Sequence, residues 1–220
     1  MNVASFTATR AFAAQLDAAD PLRGVRERFE QPRTPAGTRA IYMCGNSLGL
    51  MPRDARTLIN EELDDWSNLA VEAHVHGRRP WVHYHEQFRD IGARLVGARP
   101  GEVVMMNSLT VNVHLMMVSF YRPAGARTKV IIERGAFPSD TYAVRTHVAS
   151  RGLDPAAHVI EVGPRAGEAL IREDDVREAI ARAGETLALV LIGGVNYATG
   201  QVFDIASITS AAHGVGARCG

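Results

Sequence analysis

The chain has 220 residues, 46% of them hydrophobic, with 24 basic and 24 acidic side chains. This is enough apolar material for a sizeable core, and the balanced charge gives no electrostatic reason to expect nucleic acid or an anionic membrane as partner. Two distant cysteines, Cys44 and Cys219, make no disulfide framework. No apolar stretch reaches the length of a membrane span, and the opening MNVASFTATR lacks the apolar core of a signal peptide, so a cytoplasmic protein is expected.

The spacing of apolar residues predicts a first helix over 6–19, broken by Asp20-Pro21 and then by QPRTPAG. IYMCGNSLGLMP follows, an apolar start running into a Gly/Asn/Ser loop. Pro52 is placed to open a helix over 53–70, with Leu58, Ile59, Leu63 and Trp66 on one face. A histidine-rich loop leads to a helix over 81–96, stopped by Gly97. Residues 103–106 read as a short buried strand and 110–120 as a buried helix. KVIIE, Lys129–Glu133, is a strand; 141–151 is a helix with Gly152 in the stop position; 158–162 is a strand. An amphipathic helix over 174–183 ends at Gly184, the apolar LALVLI at 187–192 is a strand, 205–213 is a helix stopped by Gly214, and 217–220 begins another strand. Strands alternating with helices predict an α/β fold, a mostly parallel sheet covered on both faces.

In such a sheet, ligands sit where strand ends lead into helices. Asn107-Ser108-Leu109-Thr110 is one such loop. Its first-turn N–H groups and the Thr110 hydroxyl suit an anion, and the same residues suit an ordinary N-cap by Ser108 or Asn107. Arg134-Gly135-Ala136-Phe137-Pro138-Ser139-Asp140 is the next. It offers a flat ring on a stiff backbone with an acid beside it, or else a cap and a core phenylalanine. His74, His76, His83 and His85 pair as two His-x-His sets, but zinc and iron sites also want acids or cysteines at suitable spacing, so no metal is expected. A polar cleft wall anchored by Trp81 is the expected role of that loop. Gly193 and Gly194 allow close backbone approach or simply a tight turn.

Taken together and in order, GNSLGLMP (45–52), HVHGRRPW (74–81), MNSLTVNVHL (106–115), AFPSD-x-YA (136–143) and GVNYATGQ (194–201) resemble kynureninase, a pyridoxal-phosphate (PLP) enzyme family of fold type I. The resemblance implies the large domain of that fold, incomplete at its C-terminus: an N-terminal helical segment with the GNSLGL loop over 1–70, then the first part of the PLP-binding domain over 71–220. It implies that Leu109 and Thr110 take the cofactor phosphate, and that Phe137, with Pro138 and Ser139, meets the pyridine ring. Asp140 is implied near the ring nitrogen, with Ser47 and His74 on the substrate side. The family hydrolyses L-kynurenine, or 3-hydroxykynurenine, to anthranilate, or 3-hydroxyanthranilate, and L-alanine. This belongs to tryptophan catabolism and NAD biosynthesis, in a cytoplasmic homodimer.

Two departures follow from the resemblance. Gly193 stands where relatives are expected to carry a hydroxyl. The aspartate that pairs with the pyridine nitrogen and the Schiff-base lysine, expected further along, have no counterpart in these 220 residues. Lys129, the only lysine, begins a strand at the end remote from the ligand loops. No catalytic residue is therefore assigned, and the chain alone is expected to be inactive. A cysteine-desulfurase-like PLP enzyme and a non-catalytic truncated chain are the alternatives.

Overall fold

The computed structural model describes residues 6–220. The chain divides into two compact units, Met1–Met105 and Met106–Gly220. This differs from the boundary at 70/71 expected from sequence. Residues on both sides of position 70 belong together because the loop beyond it is tied back to the helix before it.

The first unit contains α1 (Arg10–Ala19), α2 (Ala55–Leu69), α3 (Ala73–His76) and α4 (Arg89–Val96), with a 3-10 turn over Trp81–Phe88. Thr9 caps α1 by accepting the Phe12 N–H at 3.2 Å. The acids of α2 organise the loop after α3. Buried Asp65 accepts the Arg78 N–H at 2.6 Å. Arg79 bridges Glu61 at 2.8 Å and Glu62 at 2.6 Å. The Trp81 indole N–H donates to Glu62 at 2.8 Å. That bond, and then Arg79, hold the Glu62 carboxyl below its ordinary range. A Cβ at Gly77 would stand 3.0 Å from both the Ala73 carbonyl and Asp65 Oδ2, which explains glycine there. Gly97 ends α4 at φ 68°.

Two expectations fail in this unit. The expected helix over 81–96 splits into the 3-10 turn and α4. The strand expected at 103–106 does not form. Val103 is extended but has no ladder partner; Val103 and Met105 pack instead against the backbone of Gly92, 3.0 and 3.1 Å from where its Cβ would be. The apolar face of α2 is open, with Ile59 and Trp66 more than 60% exposed.

The second unit is a four-stranded parallel sheet, β1 (Lys129–Glu133), β2 (Val159–Val162), β3 (Leu187–Leu191) and β4 (Arg218–Cys219), in the order β2-β1-β3-β4. Its helices are α5 (Leu109–Phe120), α6 (Pro138–Ser150), α7 (Pro155–His158), α8 (Glu173–Ala183) and α9 (Ile205–Gly214). Strands covered on both faces need apolar residues at successive positions, and KVIIE and LALVL supply them. Val130, Ile132 and Leu189 pack with Met117 and Tyr121 from the end of α5 and with Val144 and Val148 of α6. Ile131 and Val190 pack with Val176 and Ile180 of α8 and Ile208 and Ala212 of α9. Helix α5 differs from its expected burial: only Met117 is buried, and Val111, Leu115 and Val118 are exposed, because one stripe alone faces the sheet. Among the described residues, no helix is long and apolar enough to cross a membrane.

His147 of α6 is buried against the Tyr121 ring, 5.9 Å between centroids, with Nε2 unpartnered. Burial, and then the charges of Arg151 and His114, push its pKa down. On acidification the unfolded chain protonates this ring at about pH 6.5, while the folded protein resists. Stability is therefore full above that pH and lost as pH falls through the depressed folded value. Denaturant midpoints from pH 8 to pH 5 should fall for the native protein, and His147→Leu should flatten that fall. Parallel curves for the two proteins would contradict the assignment.

Candidate cofactor site

The strand order creates a switch point. From β1 the chain crosses to β2 on one side, then returns to β3 on the other side of β1. Loops from the C-terminal ends of β1 and β3 thus lead away in different directions and leave a crevice between them, the usual ligand position in an open parallel sheet.

The loop after β1 turns at Gly135, φ 77°, and enters α6 with Pro138 at the first helical position. Phe137 occupies the N-cap position and gives no side-chain cap. Its ring is 48% exposed, so it is not a core residue. It meets the Tyr197 ring edge-on, centroids 5.1 Å apart at 79°. Asp140 lies in the first turn, where the helix dipole favours a negative charge, and accepts the Ser139 hydroxyl at 3.2 Å. Neither Ser139 nor Asp140 caps α6.

The loop before α5 is also free of a conventional cap. Ser108 stands at the N-cap position in extended conformation, yet its side chain makes no cap bond. Asn107 is engaged with Asn112: its N–H reaches Asn112 Oδ1 at 3.2 Å and its carbonyl accepts Asn112 Nδ2 at 3.1 Å. Among the described residues, no side-chain acceptor caps the first-turn amides at Leu109 and Thr110. Leu109 is exposed and Thr110 half-buried. Helices α5 and α6 pack together. Tyr121, just past the end of α5, rests on His147 near the end of α6, so the two helices run in the same sense.

The loop after β3 is built around Asn196. Its Oδ1 accepts the Ala198 N–H, the Thr199 N–H and the Thr199 hydroxyl, each at 3.0 Å. Its own N–H donates to the Gln201 carbonyl at 2.8 Å. Glu133, the last residue of β1, lies close to this loop: its Oε1 stands 3.6 Å from where a Cβ on Gly193 would be. Glu133 is buried and its Oε2 has no partner. Burial pushes its pKa up, the polar Asn196 side chain opposes that, and the negative charge of Asp140 adds to the rise. Gly193 approaches closely: a Cβ there would lie 3.4 Å from the Val195 carbonyl and 3.6 Å from Glu133 Oε1, ordinary contact distances.

Of the residues singled out from sequence, the second unit holds Leu109, Thr110, Phe137, Pro138, Ser139, Asp140 and Gly193. Ser47 and His74 belong to the first. Ser47 sits in an exposed turn, its N–H on the Cys44 carbonyl at 3.0 Å. His74 is exposed on α3, edge-on to Trp81 at 5.3 Å. His76 pairs with Glu72 and His83 with Glu86. No group of three or more His, Cys, Asp or Glu among the described residues is placed to hold a metal. Sequence reading passed over Glu133, Asn196 and Tyr197. The available signal was an acid closing an otherwise apolar strand, KVIIE.

This fold is shared with solved PLP-dependent enzymes of fold type I. An apo cysteine desulfurase from Thermococcus onnurineus NA1 superposes with a TM-score of 0.61 at 19% identity, over 90% of this chain and 46% of that one. A C-DES variant with glycine covalently linked to its PLP cofactor superposes at 0.58 and 14% identity, over 78% and 42%. At such identities the likeness establishes the fold, the parallel sheet and flanking helices of a fold type I large domain.

Sequence narrows the class. The chain is 54% identical to a kynureninase of Myxococcus xanthus, over 98% of this chain and 50% of the relative. It is 51% identical to one of Koribacter versatilis, over 98% and 51%, and 52% identical to one of Salinispora tropica, over 94% and 48%. The chain is thus similar to kynureninases over nearly its whole length, and spans about half the length of the curated relatives it matches. No protein-family model matches it.

Gly193 has no positive φ, and its Cβ direction meets only ordinary contacts. Gly193→Ser should therefore fold normally, with stability within about 1 kcal/mol of the native protein, as for a compatible replacement of glycine. A denaturant titration checks this. A loss of several kcal/mol would mean the loop approaches Glu133 more tightly than these distances state.

Proposed function

We propose that these residues form the cofactor-binding part of a kynureninase, which hydrolyses L-kynurenine or 3-hydroxykynurenine to anthranilate or 3-hydroxyanthranilate and L-alanine with pyridoxal phosphate. The observation that carries this reading is the α5 N-terminus. Ser108 is the right residue in the right place for a cap and does not cap, so the amides at Leu109 and Thr110 remain available. Uncapped first-turn amides, the helix dipole and the Thr110 hydroxyl together suit a phosphate dianion. The rest of the site fits the same group: the exposed Phe137 ring offers a flat apolar face, and Asp140 offers a carboxylate in the first turn of α6.

When bound, the cofactor supplies an electron sink that permits bond cleavage at the substrate's α and β carbons. The chain's own residues bind and orient. Leu109 and Thr110 hold the phosphate, Phe137 packs on the ring, and Pro138 stiffens the backbone that carries it. Ser139 donates to Asp140, which helps keep a proton on the ring nitrogen. Ser47 and His74 serve the substrate, His74 by a hydrogen bond to its aryl-ketone end. Lys129 starts β1, four residues from Glu133, about 13 Å along a strand at about 3.3 Å per residue. It therefore stands at the wrong end of the sheet to hold the cofactor covalently, and these 220 residues by themselves should not turn over kynurenine. The working form we propose is a cytoplasmic homodimer in tryptophan catabolism and NAD biosynthesis, without nucleic-acid or membrane partners. The desulfurase likeness concerns fold alone; the motifs and the sequence relatives favour kynureninase.

Thr110→Val tests the reading. The replacement is near-isosteric and removes one donor to a charged group, worth about 1.5–3 kcal/mol. PLP titrations of the full-length polypeptide carrying these residues should show affinity weakened about 10- to 100-fold, with an unchanged melting temperature. Equal dissociation constants would remove the phosphate assignment.

A further inference from the structure

We propose that Trp81 is a positioning residue: its indole, anchored on Glu62, sets the orientation in which the His74 ring meets the substrate. This rests on the reading of His74 as a substrate residue.

An exposed side chain samples several rotamers, and ordering one of them when a ligand binds costs conformational entropy. His74 is exposed on α3, a helix of 4 residues. Two neighbouring histidines have acidic partners: His76 lies 3.6 Å from Glu72 and His83 3.4 Å from Glu86. Among the described residues, His74 makes no such pair, and its one ring contact is Trp81, edge-on with centroids 5.3 Å apart at 77°. Edge-on pairs at this separation are attractive. Trp81 is only half-buried, yet its ring is not free. The indole N–H donates to Glu62 Oε2 at 2.8 Å, while Glu62 Oε1 accepts Arg79 Nε at 2.6 Å. At neutral pH Glu62 is a carboxylate, so both bonds are charge-assisted. Arg79 is held in turn by Glu61 at 2.8 Å. An indole has only two rotatable bonds, so one anchored at Nε1 has little freedom left. The backbone that carries His74 is fixed by the same helix. Buried Asp65 accepts the Arg78 N–H at 2.6 Å, and a Cβ on Gly77 would meet the Ala73 carbonyl and Asp65 at 3.0 Å. Helix α2 thus sets the place of His74 through Asp65, and its ring orientation through Glu62 and Trp81. The histidine is ordered before substrate arrives.

The experiment labels histidine with carbon-13 in the full-length polypeptide carrying these residues and reads the His74 Cε1–H NMR signal without substrate, where the Trp81 ring current acts on it. The signal is identified by its loss in His74→Phe. Trp81→Leu gives its value with no indole present. Glu62→Leu leaves both rings in place and removes the acceptor, and should move the signal toward the Trp81→Leu value. In steady-state kinetics, Glu62→Leu and Trp81→Leu should raise the KM for kynurenine about fivefold, as for one hydrogen bond lost. With kcat within about twofold of native, that is the pattern of lost binding rather than lost chemistry, and PLP affinity should be unchanged. If Glu62→Leu does not fold, Glu62→Asp, whose carboxylate withdraws from the indole by one methylene, decides alone. A native-like His74 signal in the folded variant overturns the proposal. So does a moved signal with native KM, or a joint fall in kcat and PLP affinity, which would make the bond between Glu62 and Trp81 structural only. The reading of His74 fails separately: it falls if His74→Phe leaves the KM unchanged, while the carbon-13 signal still judges the anchor.

Discussion

Parallel pairing of Lys129–Glu133 with Leu187–Leu191 is the constraint on which the second unit depends. A parallel neighbour cannot be reached by a tight hairpin, so each strand must be followed by a crossover that covers a face. Because β2 pairs on one side of β1 and β3 on the other, the loops leaving β1 and β3 part above the strand ends. The positions of Phe137 and Asp140 follow from that parting, whereas Leu109 and Thr110 precede β1 on α5. Phe137 and Asp140 ride the loop and helix after β1. Asn196 and Tyr197 ride the loop after β3, and Glu133 stands at the root of both. The aromatic contact between Phe137 and Tyr197 joins residues sixty positions apart, and only this strand order brings them together.

Helix ends in this chain are treated in two ways. Thr9, Asp154 and Asp204 each accept a backbone N–H at the start of α1, α7 and α9. Ser108 has the chemistry to do the same for α5 and does not, while Asn107 is diverted to Asn112. The α6 N-cap is a phenylalanine, which cannot. A side-chain cap is worth about 1 kcal/mol to a helix; α5 and α6 forgo it beside the sheet's switch point, as α2, α3, α4 and α8 also do elsewhere.

Much of the second unit was legible because its physics is local. KVIIE is flanked by polar residues and is too short for a helix, so it reads as a strand to the residue; Gly152 and Gly184 mark the ends of α6 and α8 because a positive φ is needed there. Residues 103–106 misled because an extended apolar run looks the same whether it pairs in a sheet or packs singly against a helix, and Gly92 decides the matter only in three dimensions. Helix α5 misled in the opposite way: LTVNVHLMMVSF is apolar all round, which reads as burial, yet the described residues cover one stripe of it. The loop before α5 and the Phe-Pro-Ser-Asp turn were visible as motifs, though each reads equally as an ordinary cap, and the failure of those caps is a fact of geometry. Glu133 was not visible as a site residue, since nothing along the chain states that the acid closing KVIIE is buried with an unpartnered oxygen.

The central claim is that the α5 N-terminus is an anion site facing the Phe137 ring. The most direct measurement is an experimental structure of the full-length polypeptide with pyridoxal phosphate. The account predicts the phosphate within hydrogen-bond distance of the backbone N–H groups at Leu109 and Thr110 and of the Thr110 hydroxyl, with the pyridine ring against Phe137. A phosphate bound elsewhere, with Ser108 turned in to cap α5, would contradict it.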